Sequence, residues 1–409
     1  MPETQQVMGA LLDAKEQARF IGGCVRDAIL KRPVQDVDIA TPATPERVIE
    51  ILEKANIRVI PTGLSHGTVT AVINHEHFEI TTLRIDVNTD GRRAEVSFTN
   101  DWTRDAARRD FTINAMSCDL DGNVYDPYNG IKDLSTGYIR FVGLAHQRIE
   151  EDLLRLLRFF RFLAYYGKHP VNADALSACR TLAPRLTELS GERVRGELFR
   201  ILTSPNPATA ISYMQGEQVL HHILPEAGHI GCLRVVAWLV KSGTNINGLK
   251  IDPVRHLAAL LDPTTTEAQV QDIADRFKFS NAERKHLVVI TAQTHPISAD
   301  STPQDLRRVC YEVGPDRAAD IALISWANEV AVEARLPIER TAAWIHIVEA
   351  TQAWKPVVFP LRGRDVVTMG IPHGPEIGAL LAKIKCWWVE KDFYPDHQEC
   401  LEALKKLIK

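Results

Sequence analysis

Over the first 142 residues, short runs rich in β-branched and aromatic side chains alternate with turn-forming residues. That rhythm predicts strands at 20–22, 36–40, 58–60, 68–73, 77–83, 115–120 and 138–142. The runs 68–73 and 77–83, separated by Asn74-His75-Glu76, read as a hairpin, and Asp121-Gly122 is a second hairpin signal. From about residue 145 the apolar spacing becomes helical, as in Ile149, Leu153, Leu156, Leu157, Phe160 and Leu163, and no convincing strand follows. Pro and Gly clusters at Ser204-Pro205-Asn206-Pro207, at His295-Pro296 and between Pro356 and Pro360 punctuate the helical part. The expected architecture is an α/β head with a small mixed sheet over 1–142. All-α segments follow: a neck over 143–204, a body over 205–295 and a tail over 296–409.

Composition narrows the class without fixing the function. A chain of 409 residues is long enough for two to four domains, and 45% hydrophobic with 24% charged residues is ordinary for a globular protein. No apolar run approaches the roughly 20 residues that span a bilayer, and the N-terminus lacks a basic-then-apolar signal pattern, so no membrane partner and a cytoplasmic location are expected. Seven cysteines occur without a C-x-x-C pair, which argues against a zinc ribbon or a disulfide framework and points to small buried hydrophobes. A formal net charge of −4 speaks against a protein that coats nucleic acid non-specifically. Residues 145–200 nevertheless hold ten Lys/Arg against seven Asp/Glu, which makes that stretch the expected wall of a nucleic-acid groove.

The first chemical constellation is Gly22-Gly23-Cys24-Val25-Arg26-Asp27 followed by Asp36-Val37-Asp38. In a strand, Asp36 and Asp38 point to one face, and two like charges held that close attract a divalent cation with a preference for oxygen ligands. Glycines after a strand let backbone N–H groups approach a polyphosphate, and Arg26 adds a positive charge. These residues, with Ile39-Ala40-Thr41, resemble the nucleotidyltransferase superfamily that includes DNA polymerase beta. The closer likeness is to the bacterial class II tRNA nucleotidyltransferase and poly(A) polymerase family. The resemblance implies that Asp36 and Asp38 hold two Mg2+ ions, that Glu79 supplies a third carboxylate, and that Gly22, Gly23 and Arg26 bind the triphosphate.

The run Arg108-Arg109-Asp110-Phe111-Thr112-Ile113-Asn114-Ala115-Met116 is the longest match to the family. It offers a carboxylate and guanidinium groups suited to a ribose hydroxyl and a phosphate. The family uses it to read the 2′-OH, which implicates Arg109, Asp110 and Asn114. Glu151-Asp152-Leu153-Leu154-Arg155 is expected on one amphipathic helix, with Asp152 and Arg155 on the same face. The plain reading is a surface ion pair; the resemblance makes the pair a protein template for the incoming base. Cytosine and adenine each set an amino donor beside a ring-nitrogen acceptor, whereas uracil and guanine invert that pattern. Arg158 continues that helix, and Glu192-Arg193-Val194-Arg195-Gly196-Glu197 resembles a motif whose Arg193 and Glu197 buttress it.

The likeness extends to Leu361-Arg362-Gly363-Arg364-Asp365 and to residues 370–378, where glycine N–H groups face tRNA phosphates or merely connect helices. The activity implied is template-independent addition of CCA to the 3′ end of tRNA from CTP and ATP with release of pyrophosphate. Its partner is the tRNA acceptor arm. Poly(A) polymerase is the nearest alternative, although relatives of that type carry a Gly-basic-basic-Phe segment where this chain has Thr62-Gly63-Leu64-Ser65-His66-Gly67-Thr68, and it ends at Lys409 soon after the tail motif. Enzymes that add only CC or only A, and a non-catalytic tRNA-binding descendant, are the remaining alternatives. CC-adding enzymes lack a flexible loop, which is matched here at 86–95, with Asp90, Gly91, Arg92 and Arg93 at its centre.

Overall fold

The computed structural model describes residues 2–89, 94–243, 246, 248–333 and 335–408. The chain divides into two compact units, residues 1–225 and 226–409. The first carries a sheet built from β1 (Arg19–Ile21), β2 (Val37–Thr41), β3 (Arg58–Gly63), β4 (Thr68–Ile73), β5 (Glu76–Thr82), β8 (Ser117–Cys118) and β9 (Val124–Tyr125). These seven strands lie in the order β3-β4-β5-β2-β1-β8-β9. β2 and β5 run parallel, and every other pairing is antiparallel. The sheet is therefore mixed, as expected.

Local chemistry explains the strands. Asn74 and His75 both take positive φ, +50° and +69°, so β4 and β5 are closed by the two-residue turn whose twist matches that of the strands. The Asp121-Gly122 signal likewise marks the turn between β8 and β9. Alternation sends Ile39, Phe78 and Ile80 into a core closed by Val7, Met8 and Leu11 of α1 (Pro2–Asp13) and by Val48, Ile51 and Leu52 of α3 (Pro45–Lys54). Asp38 and Glu79 fall on the opposite face for the same reason.

Two expectations in this unit need correction. Residues 138–142 form no strand; Phe141 makes one isolated bridge with Phe111, and Gly137 and Gly143, both at positive φ, cut the segment short. The stretch 86–95, expected as a polar loop, lies largely within a two-stranded antiparallel ribbon, β6 (Arg84–Thr89) and β7 (Ala94–Phe98). The alternation Ile85, Val87 and Val96, Phe98 carries that period-2 signal. Asp90, Gly91, Arg92 and Arg93 lie outside the described residues.

The sheet gives way to helices α6 (Ala145–Glu151), α7 (Leu154–Tyr166), α8 (Ala173–Leu182), α9 (Gly191–Leu202), α10 (Pro207–Gly216) and α11 (Val219–Ile223). Phe111, next to Asp110, packs with tilted rings against Phe141 (ring centroids 4.7 Å apart) and Phe162 of α7 (4.8 Å), and Phe159 stacks 5.8 Å from Phe141. This aromatic cluster fixes α7 against the run 108–116.

The second unit is helical, and beyond residue 145 the described residues contain one isolated bridge, Ala227–Leu261. Thr266 with Gln269, Ser280 with Glu283 and Thr302 with Asp305 cap successive helices reciprocally. A separate core near the C-terminus gathers Leu361, Val366, Leu380, Ile384, Trp388, Cys400 and Leu404. All seven cysteines are free; five are buried as expected, Cys118 is half-buried, and Cys386 is exposed. No described helix is long and apolar enough to cross a membrane.

The second unit also buries a polar cluster. Arg255 and Asp320, 4% and 5% exposed, pair at 2.6 Å, and His286 Nε2 lies 2.7 Å from the other oxygen of Asp320. His256 sits beside them, its Nδ1 donating to the Asp252 carbonyl at 2.6 Å, and burial pushes its pKa down to about 4. Between the usual value near 6.5 and that one, the unfolded chain accepts a proton that the folded chain refuses, so stability falls as pH drops through this window. From pH 7 to pH 5 the histidine accounts for about 2 kcal/mol of lost stability. Urea denaturation of the full chain should show this pH difference reduced by about that amount in His256→Gln. An unchanged difference would show that the imidazole is not held neutral.

Candidate active site

Gly22 joins β1 to the seven-residue helix α2 (Gly23–Ile29). Its φ of +70° with ψ of −125° is closed to L side chains, and a Cβ there would also come within 3.1 Å of Arg109 Nη1. Glycine is thus needed for the turn and for the approach of Arg109. The parallel register of β2 and β5 sets Asp38 beside Glu79, while Asp36 stands one residue before β2. Asp38 is half-buried, and Asp36 and Glu79 are exposed.

Burial pushes the Asp38 carboxyl up, Glu79 and Asp36 push in the same direction, and Arg109 opposes them. Three carboxylates with one nearby guanidinium leave negative charge uncompensated on this face. That donor set fits a hard divalent cation, which would relieve the repulsion that raises Asp38. Among the described residues, the tightest metal-like group is instead Asp252, His286 and Asp320, with ligand atoms within 4.8 Å of one another. There the Asp320 carboxylate already has Arg255 as a positive partner at 2.6 Å.

Asp110 is 8% exposed and fully engaged. Its Oδ1 accepts from the Phe111 backbone N–H and from Asn114 Nδ2, both at 2.9 Å, and its Oδ2 accepts from Arg158 Nε at 2.8 Å. Burial alone would raise its pKa; Arg158, Asn114 and the Phe111 N–H outweigh that cost and hold the carboxyl below its usual value. Asn114 Oδ1 accepts in turn from Arg26 Nη1 at 2.7 Å. Arg26 also pairs with Asp27 at 2.8 Å and lies 4.6 Å from the ring centre of Tyr166, whose hydroxyl donates to Asp27. A continuous chain, Arg26–Asn114–Asp110–Arg158, therefore connects the glycine turn with α7.

The expected single helix through 149–163 is broken. α6 ends at Glu151, Asp152 is extended (φ −152°, ψ 105°), and α7 starts at Leu154. The aspartate causes the break, because its Oδ1 accepts from the Leu154 N–H at 3.1 Å in the manner of a helix cap. No ion pair joins Asp152 to Arg155 among the described residues. Asp152 instead accepts from Arg193 of α9 at 2.9 Å, and Arg155 Nη1 donates to Glu151 Oε2 at 2.5 Å. Glu197 of α9, 3% exposed, receives Arg161 of α7 at 2.9 Å.

A cavity of about 670 Å³ unites these groups. Gly22, Gly23, Arg26, Asp38, Arg109, Asp110, Asn114, Asp152, Arg155 and Arg158 line it; Asp36, Glu79, Arg193 and Glu197 stand outside its lining. Arg158 pairs with Asp110 rather than with the Asp152–Arg155 end, and Arg109 lies against Gly22 and acts on Asp38. The sequence reading missed Phe162, Tyr165, Tyr166 and Arg200, which also line the cavity. Their signal was present, since 155, 158, 162 and 165 follow helical spacing along one face of α7.

Comparison with known proteins gives two family matches: residues 18–140 to the poly A polymerase head domain, and residues 171–229 to the probable RNA and SrmB-binding site of polymerase A. The chain is 36% identical over 407 residues to the mitochondrial CCA tRNA nucleotidyltransferase 1 of Mus musculus, covering 97% of this chain and 88% of that protein. It is 31% identical over 415 residues to the CCA-adding enzyme of Leuconostoc mesenteroides, covering 100% and 96%. Its fold matches the crystal structure of the Bacillus stearothermophilus CCA-adding enzyme in complex with CTP at a TM-score of 0.78 and 26% identity, covering 99% and 96%.

Because Gly22 combines a forbidden φ with a close neighbour, Gly22→Ala is expected to cost about 1–3 kcal/mol of stability. The midpoint of denaturation of the full chain measures it; a midpoint equal to the parent's would show that the turn relaxes freely.

Proposed function

Since the chain belongs to the family of CCA-adding tRNA nucleotidyltransferases, we propose that it adds C, C and A to the 3′ end of tRNA from CTP and ATP. The observation that carries this reading is one cavity lined by Asp38 of the carboxylate face, by the buried carboxylate of Asp110, and by Asp152 and Arg155 on either side of a helix break. In each step the tRNA 3′-hydroxyl attacks the α-phosphorus in line. A new P–O bond forms, the bond to the β-phosphate oxygen breaks, and pyrophosphate leaves. We assign Asp36 and Asp38 to two Mg2+ ions, with Glu79 as a further carboxylate; when bound, the ions supply Lewis acidity at the hydroxyl and the triphosphate.

The remaining work falls to the protein's own side chains. Gly22, Gly23 and Arg26 receive the triphosphate, with Arg109 close enough to Asp38 to share that task. Asp110, held by Asn114 and Arg158, accepts from the ribose hydroxyl. Asp152 and Arg155 read the base edge, and Arg193 and Glu197 brace α7 from α9. The head over 1–142 and the neck over 143–204 build this site, and we assign the body over 205–295 and the tail over 296–409 to tRNA. We assign Asp90, Gly91, Arg92 and Arg93, at the centre of the run that resembles the family's flexible loop, to the switch from CTP to ATP.

Purified protein given Mg2+, truncated tRNA and each labelled nucleotide, singly and together, distinguishes the alternatives by product: CCA, CC, A alone or a long A tail. Asp36→Ala or Asp38→Ala should abolish incorporation while tRNA binding persists, because phosphate contacts elsewhere carry affinity. Turnover at the parent rate in either variant would sink the carboxylate assignment. Arg155→Ala should admit UTP and GTP as well as slow the reaction; a slow variant that still excludes both nucleotides would reduce Arg155 to a partner of Glu151.

A further inference from the structure

Arg155, the residue assigned to the base edge, is not poised to meet a base. Its guanidinium makes three bonds within the protein: Nη1 to Glu151 Oε2 at 2.5 Å, Nη1 to the Arg148 carbonyl at 3.0 Å, and Nη2 to the Arg108 carbonyl at 3.3 Å. Two of those acceptors are shared. Arg148 Nη1 also donates to Glu151 Oε2, at 2.5 Å, and Arg148 Nη2 donates both to the Arg108 carbonyl and, at 2.8 Å, to the Arg109 carbonyl. Two guanidinium groups thus lie side by side on one carboxylate oxygen and one carbonyl.

We propose that Arg148 is a positioning residue that keeps Glu151 and the Arg108 carbonyl satisfied when Arg155 leaves them, so that Arg155 is free to take up the two positions a one-ring and a two-ring base require. The inference rests on the template reading of Arg155 given above. Glu151 is only 33% exposed, and a partly buried acceptor abandoned by its donor costs more than the bond itself contributes, so without a substitute Arg155 would be held on Glu151. With Arg148 in place the departure leaves neither acceptor bare, and it also separates two like charges. Burial first, and then the charge of Arg155, lower the affinity of Arg148 for its proton, while Glu151 opposes them, as expected for two cations sharing one anion. Arg148 is itself only 11% exposed and does not line the cavity, so its effect on a nucleotide passes through Arg155. Its hold on the carbonyls of Arg108 and Arg109 also keeps the template in register with the ribose run, one residue from Asp110.

The test is a double-mutant cycle read in KM. With the full chain, Mg2+ and tRNA lacking either all of CCA or only its terminal A, Arg148→Met should raise KM for CTP and for ATP about ten-fold, the effect of one stranded acceptor, with a smaller change in kcat. Adding Glu151→Gln weakens the trap, so the double variant should return to within about three-fold of the parent KM. Arg148→Lys, which keeps the charge but cannot serve both acceptors, should fall between parent and Arg148→Met. A KM equal to the parent's in Arg148→Met, or losses that multiply in the double variant as they would for a purely structural role, would overturn the proposal. If Arg148→Met does not fold, Arg148→Lys with Glu151→Gln carries the same cycle, and recovery or multiplication of the losses decides it in the same way. Arg155→Ala measured alongside separates the premises: if it keeps the exclusion of UTP and GTP, the template reading itself has failed. If it loses that exclusion while the cycle is multiplicative, only the role of Arg148 has.

Discussion

The buried carboxylate of Asp110 is the interaction on which the site in residues 1–225 is built. A charge at 8% exposure persists only if the protein replaces the water it has lost, and here a backbone N–H, an amide and a guanidinium do so. Two of those donors come from the ribose run itself and the third from α7. The N–H belongs to Phe111, whose ring is locked among Phe141 and Phe162; the amide of Asn114 also receives Arg26 from the glycine turn; the guanidinium of Arg158 projects from α7. Satisfying one carboxylate thereby fixes the glycine turn, the ribose run and the neck helix with respect to one another.

The same economy of charge runs through the rest of the cavity. Asp152 is matched with Arg193, Arg155 with Glu151, and Arg161 with Glu197, so groups assigned to a nucleotide are already paired within the protein. A ligand entering such a site exchanges partners rather than meeting bare groups, and its selectivity depends on how cheaply each pair opens. The carboxylates on and beside the interior strands β2 and β5 behave differently. Burial first, and then Glu79 and Asp36, make Asp38 resist ionisation, with Arg109 opposing them. The cavity therefore has one end that is internally neutralised and one that calls for cations.

Residues 226–409 use buried charge for a different purpose. Arg255, His286 and Asp320 close on one another across three helices, α13 (Pro253–Leu260), α15 (Asn281–Thr291) and α17 (Pro315–Val332), and His256 beside them is kept neutral by burial. Like the reciprocal caps at Thr266, Ser280 and Thr302, this cluster specifies how helices meet. The imidazoles that enter this cluster are those of His256, held by the Asp252 carbonyl, and His286, held by Asp320.

The sequence by itself determined the order of elements and the inventory of reactive groups. Period-2 alternation placed Asp38 and Glu79 opposite the apolar face, Asn74-His75-Glu76 marked a hairpin, and the change to helical spacing near residue 145 marked where the sheet gives way. Such features depend on a residue and its near neighbours, so they are written locally. The partnerships were not. The likeness named Arg193 as a brace of this helix but not its bond to Asp152, 41 residues away, nor does Asp110 point to Arg158, 48 residues on, and the helix break at Asp152 arises only once its side chain turns back to cap Leu154. The ribbon of β6 and β7 was overlooked because the polar residues of 86–95 masked its alternation, and 138–142 lost its strand because Gly137 and Gly143, both at positive φ, cut the segment to one bridge with Phe111. Which donor compensates which buried charge is a property of three-dimensional proximity and desolvation, and these exist only after the chain has folded.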